Sequence, residues 1–243
     1  MGRAAVLTYH NVGIPRKDDE MRGLHVTPRM FRFQMWYLKA AGFRVVSLDE
    51  IVDIIEGADS GEKLVALTFD DGYVDFRENA YPVLKKHRYP ATVFIVSDLA
   101  GQENIWDDSS RTARKRLLDW EGISELKDNG ITFGAHSRRH PALTALSAEA
   151  LEDEIAGSKA LIAERLRCPV DFFCYPFGDY DKRVRDAVER GGYRAAFTTQ
   201  RGCVHKNDNP FEIRRIPMKL QTHPLAFLHR LHCSRKDAAV RVG

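Results

Sequence analysis

Two adjacent aspartates, Asp70 and Asp71, follow a short apolar run and precede Gly72. The run, LVALTF at 64–69, is typical of a parallel strand that is covered on both faces. Neighbouring side chains on an extended backbone point to opposite sides, so one aspartate could bind a metal while the other serves as a base beside it. The alternative is an Asp-Asp-Gly turn, in which these residues serve only the backbone geometry.

A second candidate segment, GAHSRRHP at 134–141, contains two histidines four residues apart, His136 and His140. It follows another strand-like segment, 131–133. Imidazole is the commonest neutral metal ligand, and two histidines with one carboxylate leave coordination positions open for water and substrate. Open positions indicate catalysis. The alternative is a pair of solvated loop histidines, because short motifs often match by chance.

A third strand end, FFCYPFG at 172–178, completes a set of three motifs. The motifs TFDDG, HSRRH and YPFG stand in the order found in polysaccharide deacetylases, and the chain resembles this family of NodB-like carbohydrate esterases. The segment YHNV at 9–12 resembles a feature of a subgroup that acts on poly-N-acetylglucosamine and looks like a circular permutation of the family. The resemblance extends to Arg215-Ile216-Pro217 and covers nearly the whole chain.

The resemblance implies a metal-dependent hydrolase with one divalent ion, zinc, held by Asp71, His136 and His140, and with Asp70 as the general base. A metal bound by one carboxylate and two imidazoles keeps a net positive charge, which acidifies bound water and polarises an amide carbonyl. Hydrolysis of an N-acetyl group produces a tetrahedral oxyanion. The resemblance assigns the backbone N–H of Phe177 as a donor to that oxyanion.

The departing amine needs a proton, and in the family this acid is normally a late histidine in a Leu-x-His motif. In the permuted subgroup a Tyr-His-x-Val segment at the first strand supplies it, and this resemblance assigns the acid to His10. The alternatives are three late histidines, each expected to be solvated in a polar tail: His223, His229 and His232.

One position departs from the family pattern. Many members have arginine at the first position of the third motif, where it orients the base, and this chain has Cys174. Arg215 could reach the same mouth, although an arginine at a strand end is often merely solvated. Tyr175 and Pro176 are predicted to bind substrate. Trp120 is a candidate wall of the sugar pocket, although a tryptophan at a helix start usually belongs to the core.

Strand-like and helix-like segments alternate along the chain, which predicts a parallel sheet with crossover helices. Every charged motif follows a predicted strand, so a closed or nearly closed barrel would gather the motifs at its C-terminal mouth. The family fold, a distorted (β/α)7 barrel, matches this α/β pattern. The 243 residues are predicted to form a single catalytic domain, 1–243, with a short polar C-terminal tail from about 233.

Local signals place several helices. Thr27 followed by Pro28 predicts one helix start, Ser47 predicts another, and Ser147 begins a long amphipathic helix. The segment 101–119 has no clear period, and its one predicted element is a short helix over 114–118.

The composition limits the kinds of partner and substrate that the chain is expected to bind. The net charge of +3 is small, and no cluster of basic residues is interleaved with aromatics, which argues against nucleic acid and favours a neutral or mildly anionic substrate. The four cysteines show no close spacing, so reduced thiols are expected. No segment is long enough to span a membrane, and none before His10 is long enough for a secretory signal. The chain as written is therefore predicted to be cytoplasmic, with export open if it is part of a longer protein.

The leading functional prediction is a metal-dependent hydrolase that removes acetyl groups from N-acetylhexosamine units of a sugar or oligosaccharide. One alternative is an amidohydrolase of the same superfamily that acts on small cyclic imides or ureides. Another is a non-catalytic carbohydrate-binding protein. The presence of both a base and a complete set of metal ligands argues against this last class, because binding alone requires neither.

Overall fold

The computed structural model describes residues 3–58, 61–106 and 114–233. The strands in this described part are β1 (Arg3–Tyr9), β2 (Asn11–Val12), β3 (His25–Val26), β4 (Arg44–Val46), β5 (Lys63–Phe69), β6 (Thr92–Ile95), β7 (Thr132–Ala135), β8 (Phe172–Cys174), β9 (Ala195–Arg201) and β10 (Ile213–Pro217). The α-helices are α1 (Pro28–Ala40), α2 (Leu48–Ile55), α3 (Tyr81–His87), α4 (Trp120–Asp128), α5 (Ala148–Glu152), α6 (Ser158–Leu166), α7 (Lys182–Arg190) and α8 (Pro224–Cys233).

Seven of these strands form a closed barrel in which each neighbouring pair is parallel. The order around the barrel is β1, β10, β9, β8, β7, β6 and β5. The ring closes where β5 pairs with β1, in a register that runs from Arg3 opposite Lys63 to Tyr9 opposite Phe69. β4 pairs with the first half of β5, whereas β6 pairs with its last two residues, so β4 lies outside the ring. The predicted distorted (β/α)7 barrel is confirmed.

Side chains along a barrel strand alternate between two apolar clusters, one on each side of the barrel wall. In β5, Leu64 and Ala66 belong to the apolar cluster inside the barrel, whereas Val65 and Leu67 belong to the cluster beneath the helices. Asp70 continues the parity of Leu64 and Ala66. The strand pattern therefore delivers the Asp70 carboxylate to the inner side of the barrel, at its C-terminal end.

The predicted helix starts are confirmed. The Thr27 hydroxyl accepts a hydrogen bond from the amide of Met30 at the start of α1, and the Ser47 hydroxyl accepts one from the amide of Glu50. The Ser147 hydroxyl caps α5 in the same way. Each cap satisfies an amide that has no partner within the first turn of its helix.

The predicted helix over 114–118 is wrong, because this segment is extended. The amide of Leu117 donates to the carbonyl of Gln102, and the amide of Asn104 donates to the carbonyl of Lys115. Pairing between two loop segments satisfies their backbone groups, whereas an isolated turn of helix is unstable. Leu117 and Leu118 are buried by this pairing.

The helix that Ser147 begins is not continuous. A π-helical turn, Asp153–Gly157, separates α5 from α6. A π turn holds one more residue than an α turn and therefore changes which side chains face the barrel beyond it. Apolar spacing alone does not reveal such a turn.

The late histidines do not lie in a polar tail. The segment after Pro217 leads into α8, in which Phe227 and Leu231 are buried against the main apolar cluster. His223 and His229 are exposed. The predicted tail after residue 233 lies outside the described residues. None of the described helices has the length and the apolar composition that crossing a bilayer requires.

Candidate active site

One cavity opens at the carboxyl ends of the barrel strands and gathers most of the predicted site residues. It is lined, among others, by His10, Asp70, Asp71, His136, His140, Tyr175, Phe177 and Arg215. Each of these residues lies near the end of a barrel strand or in the segment that follows it. Parallel strands direct their carboxyl ends to one rim, so residues far apart in the sequence meet there.

Asp71, His136 and His140 form a compact cluster of potential metal ligands. The Oδ1 atom of Asp71 lies 3.3 Å from Nε2 of His136 and 3.6 Å from Nε2 of His140. The ligand atoms of the three residues all lie within 4.8 Å of one another, and all three side chains are buried. One carboxylate and two imidazoles at this separation suit a divalent ion with open coordination positions.

The surroundings also suit a metal. Nδ1 of His136 lies 2.7 Å from the carbonyl oxygen of Cys174, an acceptor that holds a proton on Nδ1 and directs Nε2 towards Asp71. Burial, together with His136, lowers the pKa of His140 to about 3, so its imidazole is neutral. Burial opposes ionisation of Asp71, but its contacts with His136, His10 and His140 hold the pKa of that carboxyl below its usual range. Burial opposes a charge on His136, but its contacts with Cys174 and Asp71 raise the pKa of its imidazole well above the usual value. Asp71 and His140 are therefore in the protonation states that ligands require, whereas a metal ion at His136 would displace a proton.

Asp70 contacts a different set of groups. Nη1 of Arg215 lies 2.8 Å from its Oδ1, and Nη2 lies 2.8 Å from its Oδ2, so the guanidinium binds the carboxylate through two parallel hydrogen bonds. Both side chains are almost completely buried. Arg215 also donates through Nε to the carbonyl of Thr198, 2.9 Å away. The structure thus brings Arg215 to the predicted base.

Cys174 lies at the same carboxylate. Its Sγ is 3.5 Å from Oδ2 of Asp70 and 3.1 Å from Nη2 of Arg215. Burial opposes ionisation of Asp70, but Arg215, followed by His10, lowers the pKa of this carboxyl below its usual value. Burial likewise opposes the charge of Arg215, and Asp70 raises its pKa in return. The pair is therefore ionised within the barrel.

His10, which follows β1, approaches Asp70 from the solvent side. Its Nε2 lies 3.8 Å from Oδ2 of Asp70, and about one-fifth of the side chain is exposed. Neither His223 nor His229 lines the cavity. Of the histidines proposed as the acid whose side chains are described, His10 is therefore the one at the site.

The third motif contributes an exposed ring and a bent backbone. The ring of Phe177 packs edge-on against His140, with 4.4 Å between the ring centres. Tyr175 lines the cavity and donates its hydroxyl hydrogen to the carbonyl of Phe211. Pro176 is buried and is not among the residues that line the cavity, which corrects its assignment to substrate binding.

The structure also corrects the choice of tryptophan. Trp120 begins α4, packs against the main apolar cluster and lies beneath the guanidinium of Arg165, away from the cavity. Trp106 lines the cavity instead, and its ring stacks on His140 with 4.4 Å between centres. The sequence signal was an aromatic residue in an otherwise polar loop, and the fold decided its contact.

Backbone strain concentrates at this site. Of the seven non-glycine residues with positive φ in the described part, four belong to the site motifs: Asp71, Ser137, His140 and Phe177. Such conformations cost about 1 to 3 kcal/mol each and persist where surrounding contacts enforce them. The φ of 73° at Asp71 also explains why adjacent aspartates do not point to opposite faces but line one cavity.

A buried carboxylate holds the loop between the two histidines. Oε2 of Glu154 accepts hydrogen bonds from the amides of Arg138 and Arg139, at 2.8 and 2.9 Å. Glu154 lies in the π-helical turn, and only 2% of it is exposed. The wide turn therefore positions an acceptor beneath the loop that carries His136 and His140. Sequence analysis had no signal for this residue beyond its charge.

The barrel, the carboxylate with two imidazoles and the second carboxylate with its arginine together define a hydrolase-type site. Residues 57–196 match the family described as polysaccharide deacetylase. This range is more than half of the chain, and the protein belongs to the polysaccharide deacetylase family, whose members hydrolyse carbon–nitrogen bonds. The matched range contains both aspartates and both histidines of the cluster, but neither His10 nor Arg215.

Several known proteins are similar over most of the chain. YxkH of Bacillus subtilis (strain 168), which bears the family name, is 27% identical over 212 residues, 87% of this chain and 70% of that protein. The poly-beta-1,6-N-acetyl-D-glucosamine N-deacetylase of Staphylococcus aureus (strain MSSA476) is 24% identical over 202 residues, 82% of this chain and 69% of the relative. The Streptococcus pyogenes deacetylase PplD, solved in complex with acetate, has a TM-score of 0.82 and 25% identity, covering 94% of this chain and 98% of that one. IcaB from Ammonifex degensii, with a TM-score of 0.80 and 23% identity over 96% of this chain and 97% of its own, shares the fold.

Replacing Glu154 tests its hold on the histidine loop. We expect Glu154→Ala to weaken the binding of added zinc, used as the probe metal, by about 10- to 100-fold, because the amides that position His136 and His140 lose their acceptor. The measurement is competition with a chromogenic chelator. Glu152→Ala, an exposed glutamate on the neighbouring turn, is the matched control and should bind zinc as the parent does. Unchanged affinity in the Glu154 variant would contradict the assignment.

Exchanging the residues at 174 and 215 tests the role of the arginine. Arg215→Cys should lower the free energy of unfolding by about 3 to 5 kcal/mol, because it leaves the Asp70 charge buried and unpaired. The double variant Cys174→Arg/Arg215→Cys supplies a guanidinium to the same carboxylate from β8 and should regain much of that loss. Urea unfolding measures both. A double variant no more stable than Arg215→Cys would show that only β10 can supply the charge.

Proposed function

We propose that this protein removes acetyl groups from N-acetylhexosamine units of glycans or glycoconjugates, with one zinc ion as cofactor. The observation that carries the proposal is the placement of two buried carboxylates with different partners in one cavity. Asp71 lies with His136 and His140, and Asp70 lies with Arg215. The names of the Staphylococcus aureus and Streptococcus pyogenes relatives support a deacetylase.

Asp71, His136 and His140 would hold the ion, which supplies positive charge for polarising the acetamide carbonyl and acidifying water. Asp70 acts as the base. Arg215 fixes both oxygens of this carboxylate, so its orientation is set before substrate arrives. The lowered pKa of the Asp70 carboxyl keeps this group ionised and able to accept a proton from the attacking water.

His10 supplies the proton that the departing amine needs. Its Nε2 faces the same carboxylate from the partly exposed side of the cavity, where a sugar nitrogen can approach. Protonation at nitrogen and cleavage of the carbon–nitrogen bond release acetate and the free amine. The backbone N–H of Phe177 is the proposed donor to the oxyanion, in keeping with the family resemblance.

The wall of the cavity suits a sugar ring. Trp106 stacks on His140 and Phe177 packs edge-on against it. Both line the cavity, as Tyr73 does. Aromatic faces stack on the apolar faces of pyranose rings, so these residues offer a platform beside the reacting acetamide. The alternative substrates, small cyclic imides and ureides, are distinguished by assay.

The first test measures acetate release from chitooligosaccharides against ring opening of small imides. We expect acetate release alone, its loss after removal of metal with a chelator, and its recovery with zinc. Asp70→Asn should lower turnover by orders of magnitude while zinc occupancy stays near one, because the base is lost and the ligands remain. Imide ring opening without acetate release would overturn the proposal. Loss of zinc in the Asp70 variant would mean that the two aspartates exchange roles.

The acid role of His10 is tested by comparing substrates whose leaving groups do and do not need a proton. His10→Ala should depress turnover strongly on acetamides and much less on aryl acetate esters, whose leaving group needs no proton. Metal content and thermal unfolding should be those of the parent. His223→Ala, which changes an exposed histidine outside the cavity, is the control. Equal losses on amides and esters in the His10 variant would indicate a structural histidine instead.

A further inference from the structure

Two basic side chains stand on one rim of the cavity, apart from the groups assigned above. Arg201 is the last residue of β9, and Lys219 follows the end of β10, the neighbouring strand. The final three residues of β9 are exposed beyond the buried part of the strand. Thr199 and Arg201 share one face of it by the period of two, and both line the cavity, as Lys219 does.

The described residues provide no ionic partner for either side chain. Within the described part of the chain, no carboxylate forms an ion pair with Arg201 or with Lys219. Lys115, a third basic residue of the cavity wall, differs because Asp19 lies 3.3 Å from its ammonium. The acidic residues among those lining the cavity are Asp70 and Asp71, and both are committed to the groups already described.

A further guanidinium increases the positive charge on this side. Arg230 of α8 donates to the carbonyl of Pro217 and to the hydroxyl of Thr222, so it is fixed next to the segment that carries Lys219. Burial, and then the charge of Arg201, lower the pKa of Arg230. Arg201 and Arg230 are thus close enough to repel one another, and an anion bound at Arg201 would reduce this repulsion.

The positive charges of this rim gain no favourable charge interaction from a neutral glycan, and they repel a cationic one. Each deacetylation converts a neutral amide into an amine that is protonated near neutral pH, so the rim repels product. An anionic group would be attracted, since guanidinium and ammonium groups are the usual partners of phosphate and carboxylate.

We propose, on the basis of the deacetylase function above, that the substrate carries an anionic group, a phosphate ester or a carboxylate, on or next to the N-acetylated sugar. Arg201 and Lys219 bind that group while the acetamide lies at Asp70 and Asp71. The rim therefore selects among N-acetylated sugars by charge.

The experiment compares N-acetylglucosamine with its 1-phosphate and 6-phosphate esters and with N-acetylmuramic acid, which carries a carboxylate. Binding is measured by calorimetry on the zinc-loaded protein, and acetate release is measured separately at low and high salt. The variant is Arg201→Gln/Lys219→Gln. The control, Lys86→Gln/Arg190→Gln, removes the same charge from exposed positions near the C-terminal ends of α3 and α7, at the opposite end of the barrel.

We expect the parent to bind at least one anionic sugar about 10-fold or more tightly than N-acetylglucosamine, as one charged hydrogen bond allows. That ratio should fall towards one in the rim variant and at high salt, but stay in the control. Preference for the phosphate esters or for N-acetylmuramic acid identifies the anion. Equal binding of neutral and anionic sugars by the parent, or equal ratios in the rim variant and the control, would overturn the inference. Charge-selective binding without acetate release would instead contradict the deacetylase function and leave the rim site standing.

Discussion

The buried ion pair between Asp70 and Arg215 is the constraint on which the rest of the site depends. Removing either charge from water is costly, and the cost is recovered only where geometry is good and the remaining hydrogen bonds are satisfied. Both conditions hold here, because the two side chains meet through paired 2.8 Å contacts and Arg215 also binds the Thr198 carbonyl. The partners lie 145 residues apart: Asp70 directly follows β5 and Arg215 belongs to β10, and both strands flank β1. The pair forms only when the barrel closes.

The remainder of the mouth is held in place by similar polar contacts. Glu154 fixes the loop between the two histidines from a π-helical turn. On the other side, the ammonium of Lys115 lies 3.2 Å from Oδ1 of Asn11 and 3.3 Å from Oδ2 of Asp19. These contacts tie the loop after His10 to the extended segment at 114–117. Hydrogen bonds and ion pairs with these neighbours therefore position the side chains of the mouth, and such preorganisation is a main source of catalytic power in enzymes.

The positive charge that pairs with Asp70 comes from a different strand than the third motif. Cys174 of β8 and Arg215 of β10 both contact Oδ2 of Asp70, so both positions have access to this carboxylate. The thiol is small enough to leave the space that the Arg215 side chain fills. A comparison of motifs alone would register a missing charge, whereas the charge is present from another strand.

The sequence by itself determined the features that depend on local spacing. Apolar runs predicted the strands, and cap residues predicted the starts of α1, α2 and α5. The positions of the motifs after predicted strands predicted one mouth in a closed barrel. These signals are local because strand parity and helix caps involve residues only a few positions apart.

Contacts between distant segments were decided only by the tertiary structure. The sequence analysis named Trp120 as a wall of the pocket, whereas the fold placed Trp106 on His140 and packed Trp120 against the core. Sequence reasoning left Arg215 as one option and gave no sign of the turn that carries Glu154. It also predicted a helix over 114–118, where the structure has an extended segment. In each case a partner far along the chain supplies the contact that outweighs local preference. Such partners are defined only once the barrel has closed, because closure brings β1, β5 and β10 side by side.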